Sequence, residues 1–232
     1  GQLNLVKAFK QADAPKSAFV VEIEQLRASA ATLDFTSFDA RLRARASQTD
    51  LKLSARFSDD YRLRLDVPRA KLSLSQGRQR FELGAVQAGL SLRPAGLSDL
   101  SFMAARGTSN LSLAGALADP GSRLEARLDF DLDLRDFYPG LKPAVPGRFT
   151  GWLTAGGSLK QPELATVIHH SGGNFRGFEF GPAELEAQLN NRLLKLELLK
   201  AGLANGLVSL KGQADLSQAW PADGPLKPAA IA

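Results

Sequence analysis

The sequence predicts an all-β chain, an elongated antiparallel or mixed sheet curled into a half-pipe with an apolar interior groove. Three observations lead there. Apolar and charged residues alternate with period two along much of the 232 residues, which sends them to opposite faces of a strand. Clusters of Gly, Asn, Asp and Pro punctuate the alternating runs, as tight turns require. No convincing helix is present to cover the apolar side, because the one candidate, residues 6–18, is short and interrupted by Pro15.

The clearest run is 123–135. Leu124, Ala126, Leu128, Phe130, Leu132 and Leu134 fall on one face, and Arg123, Glu125, Arg127, Asp129, Asp131, Asp133 and Arg135 on the other. The same pattern occurs at Leu51, Leu53, Ala55 and Phe57, at Tyr61, Leu63, Leu65 and Val67, and at Ala183, Leu185, Ala187 and Leu189. Weaker alternation marks residues 19–23, 33–46, 72–74, 81–92, 111–113, 149–153, 164–168, 175–180, 192–199 and 207–216, with a phase slip near Ser37 and Phe38 that predicts a bulge or a break between strands. The 192–199 run is apolar on both faces near its ends, and Leu194, Leu196 and Leu198 are assigned to the common apolar floor. Turns are expected at 58–60, 75–77, 119–121, 172–174, 190–191 and 205–206. The strand content is far above that of an ordinary globular domain, which points to an elongated architecture. Residues 1–232 read as one such segment, with a possible sub-boundary near 95–110.

Gly-x-Leu-x-x-Pro occurs twice, as Gly115 to Pro120 and as Gly157 to Pro162. In both copies it reads as a strand end with its turn, Gly admitting unusual backbone angles and Pro ending the ladder.

A sheet with one apolar face must bury it. Three covers are open: a second sheet in a closed sandwich, the same sheet folded over on itself, or a bound apolar ligand. A thirteen-residue strand would span about 44 Å, well beyond the usual five or six residues, and a compact sandwich rarely uses one. Left bare, each inward Leu or Phe would forgo about 1.5 to 3 kcal/mol. Hydrophobic residues make up 44 % of the chain but include only 2 Trp and 2 Tyr, and a lining of Leu and Ala suits acyl chains better than a fixed jigsaw would.

The absence of Cys excludes disulfides and thiolate metal sites. No apolar run approaches the roughly 20 residues of a membrane helix, and the first residues lack the layout of a signal peptide, so any anchor is expected outside this segment. The net charge of +5 is uneven: residues 41–80 hold eleven Arg or Lys against four Asp, a balance of +7. Arg41, Arg43, Arg45, Arg62 and Arg64 form a basic stripe, but the aromatics alternate to the apolar side, unlike a single-strand nucleic-acid binder, so no nucleic acid is expected. A solvated outer face, anionic headgroups or an acidic partner remain open for it. His169 and His170 are the sole histidines, and strand neighbours point to opposite faces and cannot easily share an ion. No Gly-x-Ser-x-Gly elbow occurs. The Gly156-Gly157 and Gly172-Gly173 pairs precede no helix and read as turns. No enzyme, metal or cofactor is expected.

The stretch 147–217 resembles the repeat region of the AsmA/TamB-like family. Its order is similar: Gly-x-Leu-x-x-Pro, a short strand, a Gly or Asn turn, an alternating apolar strand, then Leu-x-Leu and Leu-x-Gly. Leu128 to Pro139, an acidic-Leu strand leading to a Pro-Gly turn, also resembles the family. The resemblance covers about residues 111–226 and is vague before them. It implies a β-taco, an inner-membrane anchor upstream, a periplasmic body, neighbouring repeats of the same chain, and phospholipid traffic toward the outer membrane. For the TamB branch it also implies an outer-membrane barrel-assembly partner (TamA-like) and a part in inserting outer-membrane proteins.

Three functions follow as expectations. The first is a lipid conduit whose floor is formed by Leu51, Leu53, Phe57, Leu63, Leu65, Leu124, Ala126, Leu128, Phe130, Leu132, Leu134, Leu185, Ala187, Leu189, Leu194, Leu196 and Leu198, touching phospholipid acyl chains. The second is a structural or chaperone-like module pairing its edges with client strands. The third is a closed β-sandwich.

Overall fold

A computed structural model describes residues 20–36, 42–58, 60–76, 79–118, 123–137, 147–158, 161–175, 178–203 and 206–217. Its strands are β1 (Val21–Thr36), β2 (Leu42–Phe57), β3 (Arg62–Gln76), β4 (Gln79–Arg93), β5 (Gly96–Arg106), β6 (Ser109–Ala118) and β7 (Arg123–Asp133). A helical turn, α1 (Leu134–Phe137), precedes β8 (Arg148–Gly157), β9 (Pro162–His170), β10 (Gly173–Phe175), β11 (Phe178–Asn190), β12 (Leu193–Leu203) and β13 (Gly206–Asp215). The expected helix candidate at 6–18, the phase slip at Ser37 and Phe38, Arg41, and the turn at 119–121 lie outside the described residues.

Strands make up 88 % of the described residues, so the chain is all-β, as its alternation requires. They form one sheet in sequence order from β1 to β9 and on through β11, β12 and β13, while β10 pairs with β11 alone. Every pairing is antiparallel, which removes the mixed alternative. The ladder continues through residues 95–110 by way of β4, β5 and β6. The sheet is not closed, and β1 and β13 are its edges. Twisted open sheets rarely exceed about ten strands without curling, and this one is consistent with a curled sheet.

Register irregularities divide the sheet. From β6 through β7, β8, β9 and β11 the pairing runs without a shift. On the β1–β4 side, shifts fall between Ala28 and Leu33, between Ser47 and Lys52, and between Val67 and Ala70. Ala30 and Gln48 take left-handed φ values of 53° and 51° there, and Pro68 sits inside the β3 irregularity. A bulge is where a central strand tolerates a residue without an N–H, and bulges bend a sheet.

The two Gly-x-Leu-x-x-Pro copies are not equivalent. Gly157, with φ 77°, ends β8 opposite Pro162, and Ser158 and Gln161 exchange backbone hydrogen bonds of 3.1 Å across the turn. Gly115 instead lies within β6, opposite Ala126; the motif still spans the end of β6 at Ala118, and the turn after it lies outside the described residues. A Cβ at Gly115 would meet the Glu125 carbonyl oxygen at 2.7 Å, so the glycine serves close strand approach rather than a turn.

β7 is shorter than the alternation suggests. Asp133 Oδ1 accepts the Arg135 N–H at 2.9 Å, the bond of an N-cap, and it converts residues 134–137 from strand to a helical turn. Leu134 therefore belongs to this turn and not to β7, and its side chain lies outside those described. Asp136 in that turn accepts the N–H groups of Thr108 at 2.9 Å and Ser109 at 3.0 Å, tying α1 to the β5–β6 hairpin.

The buried apolar residues among those described are few and mostly small: Ala55, Ala70, Val86, Ala104 and Leu189. Packing is tight where rows are regular. A Cβ on Gly151 would lie 2.2 Å from the Val167 carbonyl oxygen and 3.0 Å from Phe130 Cζ, so the Phe130 ring reaches over the glycine of the next strand. Gly151→Ala is expected to lower stability by about 2 kcal/mol in urea unfolding, whereas Gly212→Ala in β12–β13, where a Cβ meets nothing within 4 Å, should be close to neutral.

Candidate functional site: one apolar face

Residues directly opposite in an antiparallel ladder point to the same face, so the strand registers decide which side chains share a surface. One row runs Val67, Ala88, Phe102, Leu113, Leu128, Leu153, Thr166, Ala187, Leu196 and Gly212. The next runs Ala70, Val86, Ala104, Leu111, Phe130, Gly151, Ile168, Leu185, Leu199 and Leu210. Thr166 is the polar member of the two rows, and its hydroxyl donates to the Trp152 carbonyl at 2.8 Å, which leaves its methyl as the surface.

Of the residues assigned to the floor from sequence, the registers bring nearly all together. Leu53 opposes Leu65 and Ala55 opposes Leu63, Leu51 opposes Ala28 and Phe57 opposes Val21, and Leu124, Ala126, Leu128, Phe130 and Leu132 oppose Leu117, Gly115, Leu113, Leu111 on β6 and Phe149 on β8. Leu185, Ala187 and Leu189 follow on β11, with Leu194 and Leu196 on β12. Among those that lie in strands, Leu198 is the exception. A register shift between Leu196 and Leu199 sets Leu198 opposite Glu186 and gives Leu199 the place opposite Leu185, so Leu198 is corrected to the polar side and Leu199 replaces it.

Several members of the face have no counterpart in the sequence assignment. β5 as a strand was not expected; it contributes Leu100, Phe102 and Ala104. Its alternation is broken by Asp99, which takes φ 53° at a shift between Leu97 and Leu100. Leu153 and Ile168 lie in runs whose alternation was visible but weak.

The opposite face is charged and internally paired. A polar row passes through Asn110, Asp131, Thr150, His169, Glu184, Lys200 and Ser209. The three aspartates of β7 each hold an arginine: Asp129 with Arg127 at 2.7 Å, Asp131 with Arg148, whose Nη2 lies at 2.7 Å, and Asp133 with Arg135. Arg127 also stacks over the Trp152 ring at 5.3 Å. Hydrogen bonds from Arg127 and Arg148 hold the Asp129 and Asp131 carboxyls below the usual carboxylate value, and those from Arg135 lower Asp133 to about 2.

His169 and His170 diverge as strand neighbours should. His169 meets Glu184 on the polar face at 3.7 Å. His170 is 7 % exposed on the apolar side, between Phe149 at 4.3 Å and Phe180 at 5.3 Å. Its Nδ1 accepts the Gly172 N–H at 3.2 Å, and its buried Nε2 has no hydrogen-bond partner among the described residues. Burial lowers its pKa, so the neutral ring belongs to the folded state.

Among the described residues, no three His, Cys, Asp or Glu side chains gather as a metal site, and no helix is long and apolar enough to cross a membrane. No family model, curated protein or solved structure matches the chain.

Two pH responses follow. Because Asp133 binds its proton less readily folded than unfolded, its contribution is present above about pH 3.8 and is lost as pH falls toward 2; Asp133→Asn should flatten the acid limb of a urea-midpoint profile in that window. His170 is depressed instead, so stability is retained above its ordinary value of 6.5 and falls as pH drops below it, when the unfolded chain takes up the proton. His170→Phe is expected to abolish that second decline, which chemical denaturation at pH 7.5 and 5.5 would register.

Proposed function

We propose that the apolar face is a conduit for lipid acyl chains, within a periplasmic segment of the AsmA/TamB-like kind that bridges toward the outer membrane, and that no residue performs chemistry. The observation that carries this is the exposure of large apolar side chains, most of them on that face, with Met103, Leu193 and Leu207 exposed on the other. Phe35 is 63 % exposed, Leu26 54 %, Leu210 52 %, Leu33 47 % and, on interior strand β9, Leu164 37 %. All belong to the apolar side by register. They lie on both edge strands and on interior β9, and apolar side chains left open along one face suit an interaction surface; the helical turn α1 is too short to lid a sheet of this width.

A fatty tail fits what is there. The face is laid down as Leu, Ala, Val and Ile rows with Phe spaced among them, so it offers continuous contact without pockets that fix one rigid shape. Dispersion and burial then act along the length of a tail, at about 0.8 kcal/mol for each methylene removed from water. Phospholipid headgroups would stay outside the apolar rows, and the groove, the inner-membrane anchor, the TamA-like partner and adjoining repeats belong to the same reading.

Photocrosslinking amino acids at Leu128 and Leu196 are expected to capture phospholipid in native vesicles, whereas one at Asp131 should not. The registers sharpen the comparison, since Leu199 should capture and its neighbour Leu198 should fail. Equal yields at all sites would discard the conduit.

A second reading is favoured by β13, which is exposed at every position from Gly206 to Asp215. Its free ladder edge suits pairing with a client strand during insertion of outer-membrane proteins. Peptide captured along β13 with no lipid on the rows of β7 would favour that reading over the conduit.

A further inference from the structure

The polar face carries a hollow of about 360 Å³ at the rim where β2 turns into β3 and β4 into β5. Its floor is made of small hydroxyl residues. Ser54 and Ser91 both oppose Arg64 across the ladder, Ser91 is only 9 % exposed, and neither hydroxyl makes a side-chain hydrogen bond among the described residues. Around the floor stand Arg56, Arg62, Arg64 and Arg93.

Their placement brings two of them face to face. Arg56 lies directly opposite Arg62, and Arg93 follows Leu92, the partner of Leu63, so it occupies the adjoining position on the next strand. Like charges side by side at strand spacing repel. Two of the four are compensated: Arg62 reaches Asp60 at 3.4 Å and Arg64 holds Asp66 at 2.9 Å. Glu22, Glu24 and Asp99 also line the hollow; Glu22 stands directly opposite Arg56 in the ladder, and Asp99 accepts the Ser98 hydroxyl at 3.2 Å. Arg56 and Arg93 have no carboxylate at ion-pair distance among the described residues.

We propose that this hollow binds a phosphate-bearing anion, gripped by the guanidinium forks of Arg56 and Arg93 and seated on the hydroxyls of Ser54 and Ser91. A guanidinium offers two parallel N–H donors that match two phosphate oxygens, and hydroxyl donors below satisfy those that remain. A phosphate fits the set better than a carboxylate, which has two oxygens for two forks and a floor. The site faces away from the apolar rows, so it stands whether or not those rows carry lipid. The phosphate can come free in solution or on a lipid headgroup, and the two sources are separable.

The test titrates the full chain with pyrophosphate by calorimetry and, in parallel, sediments it with phosphatidylcholine vesicles with and without phosphatidylglycerol. Arg56→Gln with Arg93→Gln is compared against Arg43→Gln with Arg45→Gln, a pair that removes the same charge from the far end of the same strand surface. Binding of either probe is expected to weaken about tenfold in the first pair and less than about twofold in the second. Ser91→Val, which fills the floor without changing charge, should weaken it too. Dependence on Arg56 and Arg93 for pyrophosphate assigns a free phosphate, and dependence for phosphatidylglycerol vesicles alone assigns a headgroup; both uphold the site. Equal weakening by the two pairs would reduce it to nonspecific charge attraction, and no binding of either probe by the unaltered chain would overturn it. Retention of the β signature in circular dichroism separates lost binding from lost folding.

Discussion

Side chains on a strand repeat every second residue, and a slip of one position carries a whole strand's apolar set to the wrong side. In this chain the phase survives ladder after ladder, in part because irregularities on neighbouring strands answer one another. Ala30 and Gln48, both in the left-handed region, flank the Ala31–Thr49 pair from adjacent strands, so the two bulges cancel and Leu26, Ala28, Leu33 and Phe35 return to the face of Leu51 and Leu53. Where a shift stands on one strand alone, as between Leu196 and Leu199, a pair of leucines trades sides and the apolar row is still kept.

That bookkeeping leaves a sheet with a thin core. Small residues fill most of its buried positions, while many leucines stay partly open. Cohesion comes from the ladder itself and from cross-strand ion pairs on the polar face. Arg148 joins three strands, bonding Asp131 on β7 and the Thr108 carbonyl at 3.0 Å beside β6. Exposed pairs of this kind each contribute little, but they fix register, and register is what keeps the apolar face whole. Stability and the proposed function therefore pull on the same surface: whatever covers the leucines also completes the core.

Much of this was legible in sequence because period-two alternation is a local signal. Leu124 to Leu132 and Leu185 to Leu189 read as they stand. The failures are equally local in cause. β5 escaped notice because a left-handed Asp99 breaks its rhythm and Met103 and Ala105 put apolar side chains on its polar face as well. Leu134 falls in a helical turn where the alternation continues the strand, because capping by Asp133 competes with strand continuation, and alternation carries no information about caps. Leu198 and Leu199 could not be ordered, since a bulge in an all-leucine stretch leaves no trace in polarity. The rim hollow was invisible for a different reason: Arg56, Arg62 and Arg93 come from three strands, and the stripe of basic residues along the chain does not reveal which of them stand side by side.

The most direct measurement of the central claim asks what touches the apolar rows. Nitroxide labels at Leu113 and Leu153, with partners at Ser112 and Thr154 on the polar face, would be probed by collision with oxygen and with a polar nickel complex in the presence of phospholipid. An uncovered face wetted by acyl chains requires high oxygen and low nickel accessibility at Leu113 and Leu153, and the reverse at Ser112 and Thr154. Labels at Leu113 and Leu153 that are immobilised and shielded from both colliders, with or without lipid, would mean that protein already covers the face, and the conduit would be ruled out.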